Sequence, residues 1–442
     1  MEATMSGKNF LKYVFTCLIW LFLIYIQTAG AGWYVVSVDG TGGDVGWFTS
    51  IATDNNNNPH MSYWDITNAD LKYAYYADGW NVQTVDSVGN VGGSTSIVLD
   101  SSGNPHISYY DATNADLKYA HYDGSWHIET VDSAGQVGTD ISLALDSSDN
   151  PHISYYDMTN DDLKYAYYDG TWHIEAVDTA ENVGWDTAIA LDNSGSPCIA
   201  YEDFTYRKLK YASYDGGWNL QTLDSVGAGG GYISLDLDSS NNPHICYLTS
   251  PGVALKYASY DGSWQIEPID STVGAGSFAS FHLDSNDHPH VSYCDIHNDD
   301  LKYAFNDGSW HIETVDSAGD VGWHTAIAVD GNNTPHICYY DYTNRNLKYA
   351  TVDSDDDATP DFSDSCPSSI TGPTIMVGDC DTGISNEPRG EGCTMNDKIN
   401  NCLDAGRLRG LLCALRLSSQ WQGQGLISGR ERWALMRCVL RR

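Results

Sequence analysis

Carboxylates and tryptophans recur along this chain at fixed intervals, and their chemistry is the first thing to read. Asp65, Asp111, Asp157, Asp203, Asp295 and Asp341 each stand two residues after a tyrosine, at one equivalent position of a repeating polar segment. Trp47, Trp185 and Trp323 each follow Asp-Val-Gly or Asn-Val-Gly. An aromatic platform beside hydrogen-bonding groups suits a sugar, because a pyranose offers an apolar face and a rim of hydroxyls. Trp47, Trp185, Trp323, Asp65, Asp111, Asp157 and Asp341 are therefore the expected ligand-binding set. A competing reading is structural, since a residue present in every repeat also answers a folding problem that every repeat shares. On that reading the recurring Asp and Lys residues bridge neighbouring strands, and the Tyr and Trp residues fill the space between repeats.

Two other groups have chemical potential. Glu202 and Asp203 precede Arg207 where the repeat departs from its pattern, and such asymmetry is what general acid–base work requires. They form the fallback catalytic group, against drift in a decaying repeat. Asp353, Asp355, Asp357, Asp361 and Asp364 crowd one short segment. Spaced this way they can wrap a hard cation such as Ca2+, which takes about six to eight oxygen ligands; an acidic linker is the alternative. The histidines His60, His106, His152, His244, His290 and His336 sit one per repeat, too far apart to share a metal, and are expected to make tautomer-fixing hydrogen bonds.

The elements that position these residues follow from a strict internal period. Pro59, Pro105, Pro151, Pro197, Pro243, Pro289 and Pro335 are each 46 residues apart. A lysine followed by Tyr-Ala stands thirteen residues after every one, and in six copies a tryptophan follows eight residues later, as at Lys118 and Trp126. Within one unit the expected strands are Asp140 to Asp146, His152 to Asp157, Leu163 to Tyr168 and Trp172 to Val177, joined by Gly-, Asn-, Asp- and Ser-rich turns. Four short strands per unit of about 40–45 residues make a propeller blade. The fold expected is all-β, a seven-bladed propeller of four-stranded blades over residues 32–352. Its first strand, Trp33 to Val38, is read as the missing fourth strand of the last blade, a 3+1 closure that removes exposed edges; an open solenoid is the alternative.

Composition excludes several partners. With 59 acidic against 22 basic side chains the net charge is -37, which disfavours nucleic acid and anionic membranes. Residues 32–352 hold 45 acidic and 10 basic side chains, so the acidity is one blade's composition repeated. Aromatic residues at 12% rule out an acidic disordered tail as its source.

Residues 1–31 carry Lys8 and Lys12, an apolar run from Tyr13 to Ile26, then Ala29-Gly30-Ala31. This predicts a cleaved signal peptide, the apolar run being short of the about 20 residues of a membrane span, with a retained signal anchor as the alternative. The mature protein is expected outside the cytoplasm, secreted or at the cell surface, with no membrane span. Residues 353–367 form the acidic linker, and 368–442 a Cys-rich, partly helical tail. Six cysteines from Cys366 to Cys438 suggest a disulfide framework whose pairing stays open.

The segments Asp-Ser-Ser-Gly-Asn-Pro-His-Ile-Ser-Tyr-Tyr-Asp and Asp-Leu-Lys-Tyr-Ala resemble tandem units of secreted prokaryotic propeller proteins related to fucose-specific lectins and the sialidase-like superfamily. That resemblance covers residues 33 to 352 and implies a propeller with a glycan ligand. The segment from Asp353 to Cys366 resembles a thrombospondin type-3 calcium repeat. The expected function is non-enzymatic binding or adhesion, directed at a carbohydrate or an extracellular protein surface. A sialidase-like hydrolase or lyase with its site in the fourth and fifth blades is the alternative. The scarcity of arginine, only Arg207 and Arg345 in the repeats, speaks against a cluster of three arginines gripping a carboxylate.

Overall fold

The computed structural model describes residues 32–40, 43–227, 231–250 and 254–353. The expected signal peptide, the calcium-like residues after Asp353 and the cysteine-rich tail lie outside them. Among the described residues the secondary structure is entirely β, in seven four-stranded sheets. After β1 (Gly32–Asp39), blade one holds β2 (Val45–Thr53), β3 (Pro59–Asp65), β4 (Asp70–Tyr76) and β5 (Trp80–Asp86). Blade two holds β6 (Val91–Leu99), β7 (Pro105–Asp111), β8 (Asp116–Tyr122) and β9 (Trp126–Asp132). The pattern repeats through β25, and the seventh sheet orders β26 (Val321–Val329), β27 (Pro335–Asp341), β28 (Asn346–Asp353) and finally β1. The first strands of successive blades pack on one another, and β2 packs on β26 and β27, so the blades form a ring.

Burial follows strand position. Second strands such as β7 are buried almost throughout, whereas the middle of β9, an outer edge, is exposed. The core therefore lies between sheets: Leu71, Tyr73 and Val85 of blade one cluster with Val91, Ile97, Ile107, Tyr109 and Ala120 of blade two. Indole rings seal this layer from outside, as Trp126 meets Tyr73 edge-on at 5.4 Å and donates to Gln83 Oε1 at 3.2 Å.

A buried polar set recurs beside the apolar one. Asp86, at the end of β5, accepts the Tyr109 hydroxyl at 2.7 Å and Lys118 Nζ at 2.5 Å, both from blade two. Asp132 does the same for Tyr155 (2.7 Å) and Lys164 (2.8 Å). The expected bridge between strands two and three exists, with Lys164 3.2 Å from Asp157, but the closer partner comes from the preceding blade. At the seam Asp39 of β1 fills the same role, accepting Tyr63 Oη at 2.7 Å with Lys72 3.9 Å away.

First strands begin earlier than the sequence suggests: β10 spans Val137–Leu145 rather than starting at Asp140. Two bulges hide the alternation, since Val137 pairs with Asp157, Thr139 with Tyr156 and Ser142 with Ser154. The first bulge holds a glycine, Gly138 with φ +91°, where a Cβ would come 2.7 Å from Leu117 Cα of the preceding blade. Glycine there lets adjacent backbones touch.

Candidate functional site

The second bulge builds the site. In every first strand one non-glycine residue takes a left-handed conformation: Phe48 (φ 51°), Ser94 (46°), Asp140 (49°), Asp186 (48°), Tyr232 (48°), Phe278 (55°) and His324 (49°). Such a conformation costs an L-residue about 1–2 kcal/mol, and the ring repeats it seven times. What it achieves is aim, because these seven residues and those that follow them line a cavity of about 270 Å³. That is just below the about 300–1,000 Å³ range of small-molecule pockets, suited to one ring-sized group.

The lining divides into two arcs. Tyr232 and Phe278 have ring centroids 4.9 Å apart, Phe278 and His324 4.6 Å, and His324 and Phe48 4.8 Å. Four rings from blades five, six, seven and one thus form a continuous aromatic arc. Burial holds His324 down to about 4, so its imidazole is neutral near pH 7. Facing it, blades two to four contribute Ser94, Asp140 and Asp186.

The acidic arc is backed by Glu202 of β15 (Pro197–Asp203). Asp140 lies beside the backbone N–H of Asp186, and Asp186 beside that of Tyr232, and each of these neighbours in the next blade favours the charged carboxylate. Burial raises both carboxyls, and the charge of Asp186 adds to the effect on Asp140. Glu202 is pushed up to about 7 by burial first and by the nearby Asp186 second, opposed by Arg207. Arg207 Nη1 donates to Glu202 Oε1 at 3.3 Å, while its guanidinium lies 3.4 Å from the Phe204 ring centroid. Gly231 makes room for this crowding: a Cβ there would lie 2.1 Å from Asp186 Oδ2 and 3.3 Å from Glu202 Oε2. Carboxyls held part-protonated near pH 7 can both donate and accept hydrogen bonds.

The residues expected from sequence fall in three places. Trp47 and Trp323, one residue before the expected first strand, are the third residues of β2 and β26 and stand behind the aromatic arc, Trp47 5.0 Å from His324 and Trp323 5.2 Å from Phe278. Their indoles donate to Asp44 at 3.3 Å and Asp320 at 2.6 Å. Trp185 stacks on Phe204 at 4.5 Å, as Trp323 stacks on Tyr342 at 5.4 Å, and donates to Asn182 at 2.7 Å.

Asp65, Asp111, Asp157 and Asp341 are buried and shape their own loops. Asp157, for example, accepts the Asn160 backbone N–H at 3.1 Å and side-chain amide at 2.9 Å. None of these four lines the axial cavity. Of the fallback group, Glu202 meets Asp186 and Arg207, whereas buried Asp203 accepts the Tyr206 N–H at 2.9 Å and stays in its turn. The repeated histidines make the expected hydrogen bonds, His60 Nδ1 to Tyr73 Oη at 2.5 Å and His290 Nδ1 to Tyr303 Oη at 2.6 Å. Asp353 is the buried last residue of β28; Asp355, Asp357, Asp361 and Asp364 lie outside the described residues.

Sequence reasoning missed the ring itself. Its signal was positional: 46-residue spacing, immediately after the Val-Gly-Trp of blades one, four and seven, with five side-chain types in seven copies.

Neither a family model nor a curated protein matches this sequence. Among solved structures, the chain resembles the Aleuria aurantia lectin AAL complexed with Fucα1-6GlcNAc, at 16% identity over 63% of this chain and 98% of that one, TM-score 0.46. It also resembles a Fusarium graminearum GH93 α-L-arabinofuranosidase complexed with arabinobiose, at 11% identity over 73% and 97%, TM-score 0.44. A Hadza microbial sialidase, Hz136, matches at 12% identity over 70% and 66%, TM-score 0.40. At such scores no residue role passes from them to this chain.

Proposed function

We propose that the propeller is a carbohydrate-binding module whose axial cavity takes a single sugar ring. The observation that carries this reading is the split lining: an aromatic arc for the apolar face of a pyranose, and Ser94, Asp140 and Asp186, backed by Glu202, for its hydroxyls. Both halves are needed, because apolar area alone gives no orientation and hydrogen bonds alone compete poorly with water. Titration calorimetry against neutral monosaccharides, after a glycan-array screen, tests it. Saturable binding is expected, weakened at least tenfold in both Phe278→Ala and Asp186→Asn. Binding unchanged in the two variants places the sugar elsewhere.

A second reading, hydrolysis, is favoured by one specific observation, the Glu202 carboxyl pushed up to about 7. A group of that kind is a general acid near neutral pH. Turnover of aryl glycosides lost in Glu202→Gln, with sugar affinity kept, would establish it.

The remainder of the chain belongs to the same proposal. Residues 1–31 direct export, β1 serves as the outer strand that clasps blade seven, and the acidic linker takes Ca2+ through Asp353, Asp355, Asp357, Asp361 and Asp364. Calorimetric calcium uptake abolished in the double variant Asp355→Asn, Asp357→Asn tests the last point. Among the described residues no helix is long and apolar enough to cross a membrane.

A further inference from the structure

Three blades carry the same small motif at the hairpin between their third and fourth strands. In blade two His127 Nε2 lies 2.7 Å from Asp123 Oδ1, in blade three His173 lies 2.8 Å from Asp169, and in blade six His311 lies 2.8 Å from Asp307. A hydroxyl stands 3.3 Å from the same nitrogen in each, from Ser125, Thr171 and Ser309. Directly across the hairpin a ring stacks on the histidine: Tyr167 on His173 at 4.9 Å, and Phe305 on His311 at 4.9 Å.

Blade two breaks this pattern at one position. Opposite His127 stands His121, its ring 5.0 Å away and tilted by only 19°. One donor atom from each of His121, Asp123 and His127 lies within 4.8 Å of the other two, the only such group of three among the described residues. His121 also lacks what fixes a histidine's tautomer. Its Nδ1 is buried without a hydrogen-bond partner, whereas the neighbouring His106 Nδ1 contacts Tyr119 Oη. A folding role for the stack is served in blades three and six by an ordinary aromatic ring, so it does not account for a second imidazole here.

We propose that His121, Asp123 and His127 form a binding site for one divalent first-row transition cation of the Zn2+, Cu2+ or Ni2+ class. Two imidazoles and a carboxylate are the donor set these ions prefer, whereas Ca2+ and Mg2+ take oxygen ligands. The ligands must close around the ion to about 2.0–2.2 Å, which the short Asp123-Gly124-Ser125 loop and the exposed side chains of Asp123 and His127 permit. The pair sits on adjacent strands of one hairpin, so a bound ion clips β8 to β9 at the rim of the propeller, far in sequence from the Asp353 segment. Water completes the coordination, as befits an open surface site.

The test uses the full chain, stripped with chelator and titrated with ZnCl2 by calorimetry, beside two single variants. His121→Tyr copies the residue that blade three carries at this position, so the blade keeps a side chain known to fit its fold. The wild-type chain is expected to take up one more Zn2+ equivalent than His121→Tyr, or to bind that equivalent at least tenfold more tightly. His173→Asn, which removes the Asp–His pair of blade three, is expected to leave the stoichiometry unchanged. Equal uptake by wild type and His121→Tyr overturns the proposal, as does an equal loss in His173→Asn, which would assign binding to any Asp–His hairpin. Co2+ gives an independent reading: visible d–d absorption present in the wild type and absent in His121→Tyr supports the site, and identical spectra refute it.

Discussion

Two sevenfold sets of side chains differ in what repetition has done to them. Between the blades, the tyrosine–aspartate contact is the same at every junction, from Tyr63 with Asp39 to Tyr339 with Asp316. Around the axis, one backbone conformation presents phenylalanine, serine, aspartate, tyrosine and histidine. The first set fixes how one sheet sits on the next, and any junction that lost its aspartate would leave the tyrosine hydroxyl without that acceptor. The second set has a fixed direction and free chemistry. A strained bulge kept in all seven copies, regardless of the side chain it carries, makes a ring of equivalent sockets that can diverge without disturbing the packing.

The largest expected effect comes from breaking the constant set. Asp86→Ala removes the closest acceptor of Lys118 and that of the Tyr109 hydroxyl, and should lower stability by about 3 kcal/mol in chemical denaturation, while the folded fraction binds sugar as before. Next, replacing Asp140 by serine, the residue blade two carries at the same position, should weaken sugar binding about tenfold, equivalent to about 1.4 kcal/mol, with stability unchanged or raised. Equal losses of stability and binding in both variants would erase the distinction between the sets.

A pH series separates them further. Burial lowers His60, His106, His152, His290 and His336, His290 to about 4. Their contribution to stability is therefore complete above about 6.5, the unfolded value, and fades as pH falls below it, for His290 down to about 4. Asp140, Asp186 and Glu202 act in the opposite direction: raised in the folded chain, they stabilise it below their unfolded values and lose that contribution as pH rises toward 7. A variant with Asn at 140 and 186 and Gln at 202 should thus gain more in thermal midpoint over wild type at pH 7.5 than at pH 5. The smallest change expected is Ser94→Ala, within about 0.5 kcal/mol in stability and less than threefold in affinity.

How much of this was readable beforehand depends on which set a residue belongs to. Pro59 and its six equivalents, the lysines and the outer tryptophans announce a four-stranded unit because each repeats on a 46-residue period, and the blades are found where they place them. The axial ring escaped because positive φ at Phe48 or Asp140 is a property of backbone that no side-chain type betrays, and because two bulges scramble the period-two pattern of the strand that carries it. Trp47 and Trp323 therefore fall just before the expected first strand, one residue away from the lining. Asp65 and its equivalents look identical in sequence whether they face a ligand or close a turn; only burial and the Asn68 contact tell the two apart. Glu202 was noticed as an irregularity, but its partner Asp186 lies sixteen positions earlier, in a different strand, and only the fold joins them.

The pairing of β1 with β28 has a consequence for time as well as for form. Blades one to six are each built from strands adjacent in sequence, so they can assemble in order as the chain is made. The seventh sheet must wait, because Ser37 meets Asn346 and Asp44 meets Tyr340 only after about three hundred residues of intervening chain have emerged. Contacts of such separation are slow to find. Assembly should be limited by this last step, and, once the seam is shut, fraying at either end of the ring would require both termini of the propeller to let go together.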